Sequence, residues 1–221
     1  MCGRFSLDHS AQELAERFDL EQLALDLQPR YNIAPTQPVL AVVQSEQRSP
    51  VTLRWGLVPF WAKDPAIGNR MINARADGLA DKPAYRAPLR RRRCLIPASG
   101  FYEWRQGAGG KIPTYVHLRD HGLMGLAGLW DEWRSPEGEV LRSCTIVTTS
   151  PNAFMAPIHD RMPVILPAAR EAAWLDPAVT DVARLTPLLV PYTGTDLEAH
   201  AVSRKVNDPG YDAPDCIQAA A

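Results

Sequence analysis

Three residues in this chain are of types that could supply a nucleophile or move a proton: Cys2, Glu103 and His159. Cys2 comes first because of where it stands. Cysteine is small enough that the Met1 ahead of it is normally trimmed, which would leave Cys2 with a free α-amine and a thiol two carbons apart. An amine condenses reversibly with an aldehyde to an imine, and a thiol on the neighbouring carbon closes onto that imine to give a five-membered thiazolidine. An α-amine titrates near ~7.7–8.0 and a lysine near ~10.4, so at pH 7.4 about a quarter of the former and about a thousandth of the latter are nucleophilic. The same residue could instead attack an amide through its thiolate, with the freed amine as base. In the third reading Cys2 has no chemistry at all. The opening residues alone do not choose among the three.

Glu103 lies between Tyr102 and Trp104 in apolar, strand-like sequence. A carboxylate there either pairs with an arginine or has a raised pKa and moves protons. His159, followed by Asp160 and Arg161 at the mouth of a strand, is either a plain surface histidine or a second proton-transfer group. Asn73, in Asn73-Ala74-Arg75, reads by itself as a helix cap. The other cysteines, Cys94, Cys144 and Cys216, are far apart, with no C-x-x-C and no histidine at ligand spacing. Neither a zinc site nor a disulfide framework is expected, and Cys94 and Cys144 read as small core residues. Gly107 to Gly110 lacks the Lys-Ser/Thr of a phosphate-cradling loop and reads as a hairpin tip. No metal and no cofactor is expected.

These residues must be positioned by mostly β structure. Asp8 or Ser10 can cap a helix over 10–19, with Ala11, Leu14, Ala15 and Phe18 on one face. Leu20 to Arg30 is less regular and leads into the proline-bounded loop Tyr31 to Gln37. Strands are expected at 38–44, 51–55, 94–98, 100–104, 113–118, 123–133, 140–149 and 197–203. The polar stretch before Arg93 is helical or irregular. Ser150-Pro151 has the form of a helix start, and further helices are expected at 168–175 and about 178–189. The Asp-, Pro- and Ala-rich end reads as a loose tail from about residue 210. The expected fold class is α+β: one compact, β-rich domain over residues 1–221, with mainly antiparallel strands and peripheral helices.

At 221 residues, 46% hydrophobic with six tryptophans and 22% charged, the chain can fill a core and is not of disordered composition. Arg4, Asp8, Glu13 and Glu16 interrupt any signal-peptide core, and no apolar run reaches the ~18 residues of a membrane span, so the expected compartment is cytoplasmic. The net charge of −1 conceals an uneven distribution. Arg70 to Arg93 carries eight basic residues against Asp77 and Asp81, whereas from Arg170 onward there are four basic residues against eight acidic ones. With twenty arginines to four lysines, one basic face suited to phosphate oxygens is expected. Trp55, Phe60, Trp61 and Trp104 supply aromatic surface on which bases could stack.

Met-Cys-Gly-Arg-Phe, Tyr-Asn-Ile-Ala-Pro-Thr-Gln, Arg-Trp-Gly-Leu-Val-Pro-Phe-Trp, Asn-Ala-Arg-Ala-Asp, Arg-Cys-Leu-Ile-Pro-Ala-Ser-Gly-Phe-Tyr-Glu-Trp and His-Asp-Arg-Met-Pro follow one another in that order. This ordered set resembles the SOS-response-associated peptidase family of abasic-site-processing proteins, over residues 2 to about 210. Glutamine amidotransferases with an N-terminal nucleophile share only Met-Cys-Gly. The resemblance implies that Cys2, once Met1 is gone, forms a thiazolidine with the aldehyde of an abasic deoxyribose in single-stranded DNA or at a single-strand/duplex junction. It implies that Asn73 holds the Cys2 amine, that Glu103 moves protons, and that His159 assists sugar-ring opening and later reversal or strand cleavage. Arg4, Arg75 and Arg161 would contact phosphates, Trp61 would form part of a strand-separating wedge, and the protein would act as a monomer. Ser99 stands where the family commonly has an acidic residue. An amidohydrolase and a non-catalytic single-stranded DNA-binding module are the alternatives.

Overall fold

The computed structural model describes residues 2–20 and 27–220. The chain runs through β1 (Phe5–Leu7), α1 (Ala11–Phe18), β2 (Arg30–Ile33), β3 (Pro38–Gln44), β4 (Arg48–Trp55), β5 (Asn73–Arg75) and α2 (Pro83–Arg91). It continues through β6 (Arg93–Ala98), β7 (Gly100–Gly107), β8 (Gly110–Leu118), β9 (Met124–Arg134) and β10 (Val140–Thr149). Last come β11 (Met162–Pro163), β12 (Ile165–Leu166), α3 (Ala168–Leu175), α4 (Val182–Leu185) and β13 (Leu197–Ala201). The fold is α+β, β-rich and mostly antiparallel, as its sequence pattern indicates.

Two sheets carry it. One is antiparallel throughout, in the order β13-β8-β7-β1-β2. The other closes on itself: β10 pairs β4, β4 pairs β3, β3 pairs β6, β6 pairs β9, and β9 returns to β10. This five-stranded ring leaves none of those strands as a free edge. Strand β10 also holds β5 in parallel, with Ile146 opposite Asn73 and Thr148 opposite Arg75. Wall packing is close: a Cβ built at Gly128 would lie 2.8 Å from Cys94 Sγ, so no larger residue fits without displacing β6.

The Trp55 ring is fully buried, meets Phe5 edge-on at 5.2 Å and donates from Nε1 to the Ile72 carbonyl at 2.8 Å. It therefore joins the N-terminal strand to the β5 approach, and its loss would cost ~3–5 kcal/mol. This corrects its reading as a stacking surface. Arg93 is likewise structural, since its guanidinium donates to the carbonyls of Leu89, Arg90, Trp174 and Asp176. Arg92 pairs with the buried Asp131. The basic run thus spends one of its eight charges inside the fold and a second, Arg92, on a buried carboxylate.

Several local expectations change. Helix α1 starts where Ser10 and Glu13 form a reciprocal capping box, and it ends at Asp19 in a left-handed conformation. Part of the irregular 20–30 stretch lies outside the described residues. Strand β4 begins at Arg48, so the preceding turn is shorter than read. No helix follows Ser150-Pro151. Residues 153–158 form turns instead, because Pro157, six residues after Pro151, lacks the N–H that would carry the helix into a second turn. The Asn152 carboxamide oxygen accepts from the Met155 N–H and closes the first turn. The helical stretch expected at 178–189 is confined to 182–188. The expected loose tail is docked: Cys216 is fully buried, and Ala220 donates to Ala201 at 2.8 Å.

Candidate active site

The segment before β1, the first residue of β5, the middle of β7 and the turn ahead of β11 bring Cys2, Asn73, Glu103 and His159 into one neighbourhood. Asn73 is the start of a strand and not a helix cap. Its Nδ2 donates to the Cys2 carbonyl at 2.8 Å, and its buried Oδ1 has no hydrogen-bond partner among the described residues. The bond seen is thus to the Cys2 carbonyl, which places Cys2 against β5.

Cys2 is fully buried, with Sγ 4.0 Å from the Arg4 carbonyl. Burial, followed by the nearby Glu103 carboxylate, pushes its thiol pKa far above the ordinary value. The sulfur is therefore held as a thiol, and its use as a nucleophile requires a base. Glu103 has a side chain only 2% exposed, and burial pushes its carboxyl up from 4.5 to about 7. Such a group is half protonated at neutral pH and can act in both directions.

His159 Nε2 lies 3.7 Å from Glu103 Oε2. Its Nδ1 has two neighbours that favour opposite states: the Arg161 N–H donates to it at 3.0 Å, while Asp160 Oδ1 sits 2.9 Å away. Burial holds the imidazole below its usual 6.5, so the ring is neutral at pH 7 and the Arg161 N–H takes precedence. That tautomer carries its proton on Nε2, on the side of Glu103.

A model of the SOS response associated peptidase (SRAP) family matches residues 1–209. The chain belongs to the SRAP family. Abasic site processing protein YoqW of Bacillus subtilis is 45% identical over 222 residues, which span 99% of each chain. Abasic site processing protein HMCES of Gallus gallus is 33% identical, over 86% of this chain and 66% of its own. The crystal structure of a protein from Bacteroides thetaiotaomicron is similar over the whole of both chains, with a TM-score of 0.90 at 28% identity.

Around this four-residue cluster the arginines differ in freedom. Arg75 is exposed and pairs with Asp77 at 2.7 Å. Arg161, whose side chain is 13% exposed, donates to the Thr148 carbonyl at 2.7 Å and reaches the same Asp77 at 3.3 Å. Asp77, drawn down to about 2 chiefly by its bond to Arg75, therefore holds two arginines beside the site. Asp77 stands in Asn-Ala-Arg-Ala-Asp, and nothing in that local sequence marks it as the residue that meets both arginines. Arg4 is half-buried: Nη1 donates to Asn32 Oδ1 and to the Val206 carbonyl, both at 2.7 Å. Its guanidinium lies 5.9 Å from the half-buried ring of Trp104, whose Nε1 donates to Asn207 Oδ1 at 2.7 Å. Phe60 and Trp61, at 58% and 47% exposure, stand out beside shallow grooves rimmed by Arg70, Arg86 and Arg91. Ser99, buried near β1, accepts from the Asp8 N–H and bonds His9, so it closes a turn at some remove from the cluster. No helix among the described residues is long and apolar enough to cross a membrane.

Proposed function

We propose that this protein processes abasic sites in DNA by capturing their aldehyde covalently on Cys2 after Met1 is removed. The observation that carries this reading is the meeting of Cys2 with a buried carboxyl, Glu103, whose pKa is about 7. The names of the Bacillus and Gallus relatives point to the same lesion.

The abasic deoxyribose opens to an aldehyde at C1′. The unprotonated Cys2 α-amine adds to that carbon and gives a carbinolamine. Protonated Glu103 delivers a proton to the carbinolamine hydroxyl, which leaves as water, and the imine forms. Glu103 is now a carboxylate. It takes the Cys2 thiol proton as Sγ attacks the carbon of the still-protonated imine, whose C=N electron pair returns to nitrogen as its lone pair. One C–N and one C–S bond form, and one water is lost. A carboxyl with an ordinary pKa would be almost wholly ionised at pH 7 and could serve only the second half. Neutral His159, with Nε2–H towards Glu103, would assist sugar-ring opening and the reverse steps. Asn73 would fix the Cys2 backbone, with Oδ1 ready to accept from the released amine.

Arg75 and Arg161 would take phosphates next to the lesion, Arg4 and Trp104 would extend the DNA-binding wall, and Phe60-Trp61 would stand at a strand junction. An abasic nucleotide offers no base to read, so backbone and stacking contacts must suffice. The test is incubation of Met1-free protein with abasic single-stranded DNA, resolved on a denaturing gel. A heat-resistant shifted band is expected. Cys2-dependent release of ammonia from glutamine, with no such band, would favour the amidohydrolase instead.

A further inference from the structure

The segment 203–216 straps Arg4 and Trp104, two residues of the proposed DNA-binding wall, and Asn32 is its key. Asn32 is fully buried in β2. Its Oδ1 accepts from Arg4 Nη1, and its Nδ2 faces the carbonyls of Val206, Asp208 and Tyr211 at 3.3, 3.0 and 2.6 Å. Arg4 Nη1 also reaches Val206 directly, and Asn207 holds the Trp104 indole. The strap is fastened from outside by Asp212. One of its carboxylate oxygens accepts the backbone N–H groups of Tyr31 and Asn32 at 2.6 and 3.0 Å, and the other accepts from Arg30 at 3.2 Å. Tyr102, the neighbour of Glu103, donates from its hydroxyl to the Tyr31 carbonyl.

The strap's own polar bonds run to β2, to Arg4 two positions from Cys2 and to Trp104 beside Glu103, while Arg4 and Tyr102 each bond β2 directly. A buried carboxamide with both ends engaged fixes its partners in one geometry, because any other arrangement leaves a polar group unpaired.

We infer that Asn32 and the strap fastened by Asp212 are positioning elements that set Arg4 and Trp104 for the DNA strand. This rests on the proposed DNA-binding wall, but not on covalent capture. Without the strap, the Arg4 guanidinium and the Trp104 ring lose their fixed partners and must be ordered by the DNA at the cost of affinity.

The test is fluorescence anisotropy with an intact, lesion-free single strand, which reads binding whether or not any adduct forms. Asp212→Ala removes a negative charge near the proposed wall, so electrostatics alone would tighten binding. The strap role gives the opposite result: Kd rises about fivefold to tenfold, and in an Arg4→Ala, Trp104→Ala background the same change has little further effect. Asn32→Ala, the harsher change, should reproduce the loss in the parent and vanish in the same background. With abasic DNA under single-turnover conditions, Asp212→Ala should raise the half-saturating concentration and leave the limiting rate within about twofold. Unchanged or tighter binding by Asp212→Ala, or an equal loss in the double-alanine background, overturns the inference. Normal binding by the parent with no adduct on abasic DNA would overturn the capture chemistry and leave the strap standing.

Discussion

Replacement of Glu103 by Gln should change the shape of the pH–rate profile as well as its height. Capture requires an unprotonated α-amine, with a pKa near ~7.8, together with a protonated Glu103. With the carboxyl at about 7, the two demands overlap best near pH 7.4, where about 8% of molecules satisfy both. A carboxyl left at 4.5 would move the optimum to about pH 6.2 and the competent fraction to about 0.05%, so burial of Glu103 gains about 150-fold. The wild type should therefore show a bell centred near pH 7.4. Glu103→Gln removes the alkaline limb: its rate should rise through the amine titration and level off, at about 10²- to 10⁴-fold below the wild-type maximum. The assay is adduct formation under single-turnover conditions from pH 5.5 to 9, with Met1-free protein and a pre-formed abasic strand. A bell of wild-type shape in Glu103→Gln would refute the assignment of that limb, and so of the acid, to Glu103.

The same carboxyl should be visible in stability. A folded pKa of about 7 against 4.5 means that the native state binds more protons between those values, so stability is fully present below pH 4.5 and declines through pH 7. Relative to Glu103→Gln, the wild type should lose about 3 kcal/mol over that window, as read by urea denaturation at pH 4.5 and 8; a pH-independent difference would contradict the burial argument. Arg75→Ala should weaken single-strand binding and lower the salt slope by about 0.7, the value of one phosphate contact, with limiting capture rate little changed. An unchanged slope would remove Arg75 from the phosphate contacts. Capture should be fastest on single strands and junctions and much slower on fully paired abasic DNA, because a duplex backbone holds the lesion away from a buried N-terminus. Equal rates on all three would displace Trp61 and Phe60 from the junction.

Much of the β structure was legible in local pattern. Apolar runs or alternation marked β3, β8, β9 and β10, Gly107 to Gly110 marked a hairpin, and Asp8 or Ser10 marked the start of α1. Closure of the β3-β4-β6-β9-β10 ring was not legible, because the β10–β4 pairing is parallel and distant in sequence, and no turn signature records it. Composition misled at the end of the chain. Asp, Pro and Ala suggest looseness, yet Asp212 finds two backbone N–H donors in β2 that local sequence cannot reveal. Residue type identified Glu103 and His159 as candidates, but only tertiary packing puts them 3.7 Å apart and buries the carboxyl enough to raise its pKa. Trp55 and Arg93 were misread for the same reason: type says what a side chain can contact, and the fold decides whether solvent is among its contacts.

Intact-mass measurement of the Met1-free protein after reaction with an abasic oligonucleotide tests the Cys2 chemistry most directly. The expected product weighs protein plus DNA minus one water, survives heating in denaturant without borohydride, and is absent from Cys2→Ala, whose α-amine can make only a reversible imine. A stable, unreduced adduct of that mass with Cys2→Ala, or no adduct with the Met1-free wild type, would contradict thiazolidine capture at Cys2.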